Sequence, residues 1–440
     1  MMKTYSIATL GCKVNQYESA TIASSLDAMG FQYKKFPDIC DIYVINTCTV
    51  TAMSDRKSRQ MISKARTTNP DSIIIATGCS AQANAQAMIK SGADIVLGNN
   101  EKSSIDTILS SYLKEKTGKL TVVSDIFREK EYIHGCFPDK WERTRGYLKI
   151  QDGCDNFCSY CIIPYVRGRA RSRDIDDIVK EARYMASKGI KEVVLTGIHL
   201  DSYGKDKGNL SIIDVIAKIN DIKGIERIRL GSLEPKIITE TFVEEIKKYD
   251  KLCPHFHMSL QSGSDAVLSD MRRRYDSEMF LSAINMLRNN IPNLEFTTDI
   301  IVGYPTETEE DFNKSLEMVE KARFIKVHVF KYSKRPGTAA DKLKPLNGKT
   351  LNERSEKLIN YASEISKSRL SGYLGKTLRI LIEEGEDGFI TGHTANYIKV
   401  QAPTDNNVTD DYINTFCDVL ISGLTNDGLL GTVVDKKTVR

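Results

Sequence analysis

At 440 residues, 41% hydrophobic and 27% charged, the chain is long enough for two or three ordinary cores and shows no disordered bias. The N-terminus "MMKTYSIATLGC" lacks a basic region followed by a long apolar run, and no later run approaches the roughly 18 apolar residues of a membrane span; the expectation is a multidomain cytoplasmic protein with no membrane partner. A net charge of +4 permits a nucleic-acid partner without arguing for one, and ten cysteines in a reducing compartment read first as metal ligands or catalytic thiols.

The first hundred residues repeat strand, small-residue turn and helix. "YSIATLGC", "DIYVINTC", "SIIIATGC" and "ADIVLGNN" alternate with "NQYESATIASSLDAMG", "TAMSDRKSRQMISKAR" and "SAQANAQAMIKSG". Continuous apolar strands alternating with amphipathic helices predict a doubly wound parallel α/β domain, assigned to residues 1–120. Three of its strands end in Cys12, Cys48 and Cys79, spaced 36 and 31 residues apart. Successive strands of a parallel sheet end on one edge, where open α/β sheets bind ligands. A single such cysteine reads as a small buried hydrophobe, but three in phase with the repeat predict thiols that converge.

A polar linker, 121–140, leads to the only tryptophan, Trp141, and then to a second alternating series assigned to 141–372. Its strands are "GYLKIQDGC", "EVVLTGIHL", "RIRLGSLEP", "HFHMSLQSGS", "EFTTDIIVGYP" and "KVHVFKYSKRPGT", with helices such as "DIDDIVKEARYMASKG" between them. Six such units predict a partial (β/α)6, TIM-like barrel with its active site at the C-terminal strand ends. After the amphipathic helix "LNERSEKLINYASEISKSRLSGYLG", five short strands in 373–440 predict a small antiparallel β-barrel of the OB type, an architecture that often binds oligonucleotides.

"QDGCDNFCSYC" places Cys154, Cys158 and Cys161 in C-x3-C-x2-C with no fourth cysteine close behind. Structural zinc wants four ligands, and His134 and Cys136 upstream match no ordinary zinc spacing. A four-iron cluster on three thiolates fits better, because one iron stays open to a small molecule. In order and context this motif resembles the radical S-adenosylmethionine (SAM) superfamily. That resemblance implies a [4Fe-4S] cluster whose open iron binds SAM and whose electron cleaves it to a 5′-deoxyadenosyl radical. It also implies SAM contacts at Tyr160 near the adenine, at Thr196 and Gly197 in "LTGIHL", at Ser232 and Glu234 in "SLEP", and at Gln261 and Ser262 in "SLQSGS".

With "TLGCKVNQYES", "VINTCTVT" and "ATGCSAQ" ahead of "GCDNFCSYCIIPYVRGRARSR" and a small barrel at the end, the whole chain resembles the methylthiotransferases. The resemblance implies a second [4Fe-4S] cluster on Cys12, Cys48 and Cys79. One SAM then serves as methyl donor to sulfur on that cluster, and a second as radical source for C2 of an adenine. "TLGCKVNQYE" and "INTCTVTAMSDRKSRQ" look like the branch acting on N6-threonylcarbamoyladenosine in tRNA. Isopentenyladenosine in tRNA and a ribosomal-protein aspartate are the near alternatives. The implied partners are a tRNA anticodon stem-loop, a reductant protein and a sulfur donor. RNA contacts are expected at Arg167, Arg169, Arg171 and Arg173 in "RGRARSR" and at Arg272, Arg273 and Arg274, with the cofactor carboxylate or plain solvation as the alternatives for these guanidinium groups. Cys40, Cys136, Cys253 and Cys417 read as packing residues, and His255 and His257 as structural histidines. A non-catalytic iron–sulfur RNA-binding protein is the remaining alternative.

Overall fold

Residues 3–115, 118–139, 144–208, 210–386, 388–404 and 413–434 are described by the computed structural model; Trp141 lies outside them. Strands β1 (Thr4–Thr9), β2 (Gln32–Tyr33), β3 (Ile42–Thr47), β4 (Ile73–Gly78), β5 (Ile95–Leu97) and β6 (Leu120–Val122) form one sheet in the order β2-β1-β3-β4-β5-β6. Every pair in it is parallel. All six residues of β3 are buried. Ile42 and Val44 pack on one face with Ile22 and Leu26, while Tyr43 and Ile45 pack on the other with Ile62 and Met88. Burial on both faces is why the strand reads as a continuous apolar run rather than an alternation. β6 was read as linker because a three-residue, half-exposed edge strand carries no such run.

The central region holds β7 (Arg145–Lys149), β8 (Gln151–Asp152), β9 (Arg171–Ser172), β10 (Glu192–Thr196), β11 (Arg227–Leu230), β12 (Ser232–Leu233), β13 (His255–Gln261), β14 (Glu295–Val302) and β15 (Lys326–Lys331). The parallel sheets β11-β10-β7 and β12-β13-β14-β15 meet at Gly231, which separates β11 from β12. Six strand units thus form the expected partial barrel. On β13 and β14, Phe256, Met258, Leu260, Phe296, Ile300 and Val302 are fully buried beneath the surrounding helices. The alternate residues His257, Ser259, Gln261 and Asp299 are only half-buried and line the inner face.

Strands β16 (Thr377–Glu386), β17 (Phe389–Thr394), β18 (Lys399–Pro403), β19 (Phe416–Leu424) and β20 (Leu429–Val433) close into a barrel, β16-β17-β18-β20-β19. Its pairings are antiparallel except β18 with β20. It docks on the N-terminal ends of the central strands, opposite the cysteine loop. Arg227 Nη1 donates to the His393 carbonyl at 2.9 Å, Arg229 Nη1 to Ala395 at 3.0 Å, and Asn396 Nδ2 to Asn293 at 3.0 Å. Tyr397, held at φ +70°, stacks between His255 and His393 with ring centroids 4.6 and 5.0 Å away. Among the described residues no helix is long and apolar enough to cross a membrane.

The N-terminal sheet meets the central barrel across buried charge. Glu18 accepts from Lys149 Nζ at 2.8 Å, Arg167 Nη1 at 2.9 Å and Lys102 Nζ at 2.5 Å. Asp152 takes Lys149 at 2.7 Å and Arg167 at 3.1 Å. Burial pushes the Glu18 carboxyl up, but Arg167, Lys102 and Lys149 more than offset it and hold it well below the ordinary range. Removing one member of a buried set strands the others without solvent. Glu18→Gln is therefore expected to lower unfolding free energy by about 3–5 kcal/mol, measured by denaturant titration against wild type.

Candidate functional site

Cys12 immediately precedes the helix Lys13–Ala28, Cys48 follows β3, and Cys79 opens the helix Cys79–Ala83, so all three sit at the C-terminal edge of the sheet. Side-chain bonds tie their loops together. Asn15 Nδ2 donates to the Leu10 carbonyl at 2.7 Å and the Thr47 carbonyl at 3.0 Å. Thr47 Oγ1 accepts from the backbone N–H groups of Ser80 and Ala81 at 3.1 and 3.0 Å. Gly11, at φ +101°, passes so close that a Cβ there would lie 2.8 Å from Cys48 Sγ. Burial, with Cys79 and then Cys12 nearby, pushes the Cys48 thiol up to about 11.

The second triad occupies the loop after β8. Gly153, at φ +73°, brings the backbone against Arg169, where a Cβ would sit 1.9 Å from the carbonyl oxygen. Cys154 N donates to Gly168 at 3.1 Å and Cys161 N to Cys158 at 3.0 Å, folding the loop back on itself. Arg273 Nη1 reaches Cys158 Sγ at 3.3 Å, and the Asn156 N–H reaches Cys154 Sγ at 3.5 Å. Burial raises Cys154 to about 11 and, with Cys158 beside it, Cys161 to about 12. Among the described residues neither triad has all its sulfurs within 4.8 Å of one another. Ligands of a single zinc would stand about 3.8 Å apart, given Zn–S bonds of about 2.3 Å. Three thiols at wider spacing, with guanidinium groups to offset thiolate charge, fit an iron–sulfur cluster.

Arg167 stands between the triads. Its Nε lies 3.2 Å from Cys79 Sγ, its Nη2 2.8 Å from Asn15 Oδ1, and its Nη1 on Glu18 and Asp152. It ends the short helix Ile163–Arg167 that begins two residues after Cys161. The expectation that alternate arginines meet RNA is corrected here. Arg167, Arg171 and Arg173 are 0, 3 and 1% exposed, because the chain returns as β9 against β8 and turns these side chains into the charged interface. Arg173 pairs with Glu181, and Arg171 Nη2 donates to the Arg167 carbonyl at 2.9 Å. Arg273 also points inward, onto Glu234 at 2.9 Å. Arg169, Arg272 and Arg274 are exposed. Cys136, read as packing, is exposed on the connecting segment, whereas Cys40, Cys253 and Cys417 are buried.

Of the expected SAM contacts, Glu234 and Tyr160 gather at the cysteine loop. Glu234 accepts from Asn156 Nδ2 at 2.9 Å as well as from Arg273. Burial pushes its carboxyl up, but His199 and Arg273 outweigh this and leave it below the ordinary range. Tyr160 packs with Val267, Met271, Tyr304 and Tyr332. Gly197 lets the backbone close on Gln151, whose Oε1 accepts from the N–H groups of Ile198 and His199 at 2.9 and 2.8 Å. Gln261 sits at a bulge with φ +70°, Ser232 is exposed, Thr196 is buried, and the buried Ser262 hydroxyl accepts from Ser264 N at 3.2 Å. Sequence reasoning missed Gln151, Asn156, His199 and Asp201. Only the position of Asn156 inside the cysteine motif and of His199 and Asp201 just after "LTGI" could have signalled them. His255 is buried as expected, its Nε2 sharing Thr297 Oγ1 with His257 Nδ1 at 3.1 and 2.9 Å.

Residues 148–319 match the model of the radical SAM superfamily, and residues 4–98 match Uncharacterized protein family UPF0004. The chain is 39% identical to the threonylcarbamoyladenosine tRNA methylthiotransferase MtaB of Bacillus subtilis, over 91% of this chain and 90% of the relative. It is 41% identical to the protein of the same name from Aquifex aeolicus, over 89% and 95%. Against the tRNA-2-methylthio-N(6)-dimethylallyladenosine synthase of Finegoldia magna it is 34% identical, over 98% and 95%. Among solved structures, the radical SAM methyltransferase TsrM of Kitasatospora setae, with cobalamin and a [4Fe-4S] cluster bound, superposes with a TM-score of 0.56 at 14% identity over 77% of each chain, a likeness of fold.

Two outcomes follow from this geometry. Gly153→Ala forces a Cβ into the Arg169 carbonyl at a φ that side chains disfavour, and should cut the iron held after reconstitution, read by iron analysis. Burial raises the Asp201 carboxyl to about 7. Above pH 4 the unfolded chain ionises this group while the folded chain does not, so native stability falls as pH rises and levels off above about 7. Asp201→Asn should therefore stabilise the protein at pH 8 by an amount on the order of a few kcal/mol, with no gain near pH 4 in matched thermal melts.

Proposed function

The chain belongs to the radical SAM methylthiotransferase family, and from that premise we propose that it installs a methylthio group at C2 of N6-threonylcarbamoyladenosine beside the anticodon of tRNA. Family membership brings SAM and a [4Fe-4S] cluster with it. The observation that carries the methylthiolation chemistry is the pair of three-thiol sites on either side of the Ile163–Arg167 helix, and relatives named for threonylcarbamoyladenosine support the substrate. We assign one cluster to Cys154, Cys158 and Cys161, and a second to Cys12, Cys48 and Cys79. When bound, the pair supplies an electron for reductive cleavage of SAM and a position for the transferred sulfur.

The chain's own side chains do the rest. Arg273 and Arg167 offset thiolate charge at Cys158 and Cys79. Glu234, kept ionised and fixed by Asn156 and Arg273, offers carboxylate oxygens to ribose hydroxyls, and Tyr160 stands for the adenine side. A target base must be splayed from its loop to reach this chemistry. Exposed groups at the rim suit that task. Arg169 lies over the Phe157 ring at 5.1 Å, Phe157 meets Tyr165 edge-on at 5.5 Å, and Arg274 Nη2 reaches the Asp155 carbonyl at 3.5 Å. We assign RNA backbone contacts to Arg169, Arg272 and Arg274 there, with the 373–440 barrel as a further RNA surface. A cytoplasmic setting, a protein reductant and a sulfur donor belong with this reading, as does the division into 1–120, 141–372 and 373–440. Relatives named for the dimethylallyl substrate keep that substrate as the second reading.

Loss of the protein should remove 2-methylthio-N6-threonylcarbamoyladenosine from tRNA and leave its unthiolated precursor, read by nucleoside mass spectrometry; loss of the dimethylallyl derivative instead rejects the substrate. Triple alanine variants of either triad should each retain about four of about eight irons. Only the Cys154, Cys158 and Cys161 variant should lose 5′-deoxyadenosine formation. The Cys12, Cys48 and Cys79 variant should form it without thiolating RNA; full iron retention there rejects the second cluster.

A further inference from the structure

The inner face of the central barrel is approached by a lysine that forms no ion pair with any described residue. At the level of Tyr397, Arg145 Nη2 is paired with Glu383 at 3.1 Å and Arg229 Nε with Glu192 at 2.7 Å. One step towards the cysteine loop lie His257, Asp299 and His328, whose donor atoms all fall within 4.8 Å of one another. Asp299 already serves His257 Nε2 at 3.2 Å. Into this space comes Lys13, the first residue of a helix whose Tyr17 packs on Tyr147 and Val194 of the barrel. Its electrostatic neighbours are Tyr397, Arg145, Arg229 and Asp299, and it also acts on His255 and His328. Among the described residues Lys13 has no ion pair, although it is half-buried. A partly desolvated ammonium without a counterion is costly unless an anion arrives with a ligand.

Two histidines and a carboxylate at this spacing also suit a divalent metal. Lys13 and Lys326 stand beside them, however, and repel a dication while attracting an anion. We propose that Lys13, flanked by His257 and His328, binds the carboxylate at the end of the N6 substituent of the target adenosine and so selects an acidic substituent over an uncharged one. This rests on the threonylcarbamoyl reading above. The threonyl group ends in a carboxylate, whereas a dimethylallyl group has no charge for Lys13 to meet.

The test uses reconstituted holoenzyme and three anticodon stem-loops: the threonylcarbamoyl form, its threonyl methyl ester, and the dimethylallyl form. The wild type should show a KM at least about 30-fold lower for the acid than for the ester, the scale of a desolvated charge pair. Lys13→Met should raise KM for the acid to that of the ester and leave the ester unchanged, while Lys13→Arg restores part of the difference. Iron content and RNA-independent 5′-deoxyadenosine formation should stay at wild-type values in both variants. Equal KM for acid and ester in an active wild type overturns the inference alone and needs no variant, as does a divalent metal bound at His257 and His328. Wild-type activity confined to the dimethylallyl stem-loop overturns the substrate reading and this one together.

Discussion

Everything about the site's geometry depends on the buried charges shared by Glu18, Asp152, Lys149 and Arg167. Ionised groups out of water are expensive, and what offsets the expense here is reciprocity: each carboxylate meets at least two cations, and Lys149 and Arg167 each meet both carboxylates. Such a set has one good arrangement. Because Glu18 belongs to the N-terminal sheet's first helix and the other three to the barrel, that arrangement also fixes the register between the two units. The contact from Arg167 to Cys79 follows from it.

The elements with long apolar runs were legible in the sequence. β3 and β4 read directly because burial on both faces leaves a near-continuous run, and the glycine before Cys12, Cys79 and Cys154 marked where the backbone must turn sharply. Edges were not legible: β6 lacks a run, and the split of "RIRLGSLEP" at Gly231 has no periodicity of its own. Arg167, Arg171 and Arg173 of "RGRARSR" failed as an RNA surface for a different reason. A charged alternation looks the same whether its partners are water or buried carboxylates, and while Glu181 is eight positions from Arg173, Glu18 is 149 from Arg167. Lys13 was invisible in the same way, since its surroundings come from strands β7, β11 and β14 and from the C-terminal barrel.

The C-terminal barrel also shapes the central one. The carbonyls of Thr394 and Ala395 in its Thr394–Ile398 turn accept from Arg229, and Tyr397 inserts between histidines at the N-terminal mouth of the central strands. Active sites of such barrels sit at the other end. The terminal barrel therefore closes the floor under the inner-face cations, and their environment depends on a segment about 240 residues from the cysteine loop.

The short helix after Cys161 works as a strut. Cys161 belongs to one triad, and Arg167, six residues on, rests on a sulfur of the other; Val166 and Ile162 pack on Cys79 as well. The gap between the triads is thus spanned by little more than one helical turn of rigid backbone, not by the long connecting segment. Any hinge that parted the N-terminal sheet from the barrel would have to shear this strut from Cys79 first. The two units are therefore pinned to each other beside Cys79, by six residues of one chain segment rather than by a broad linker.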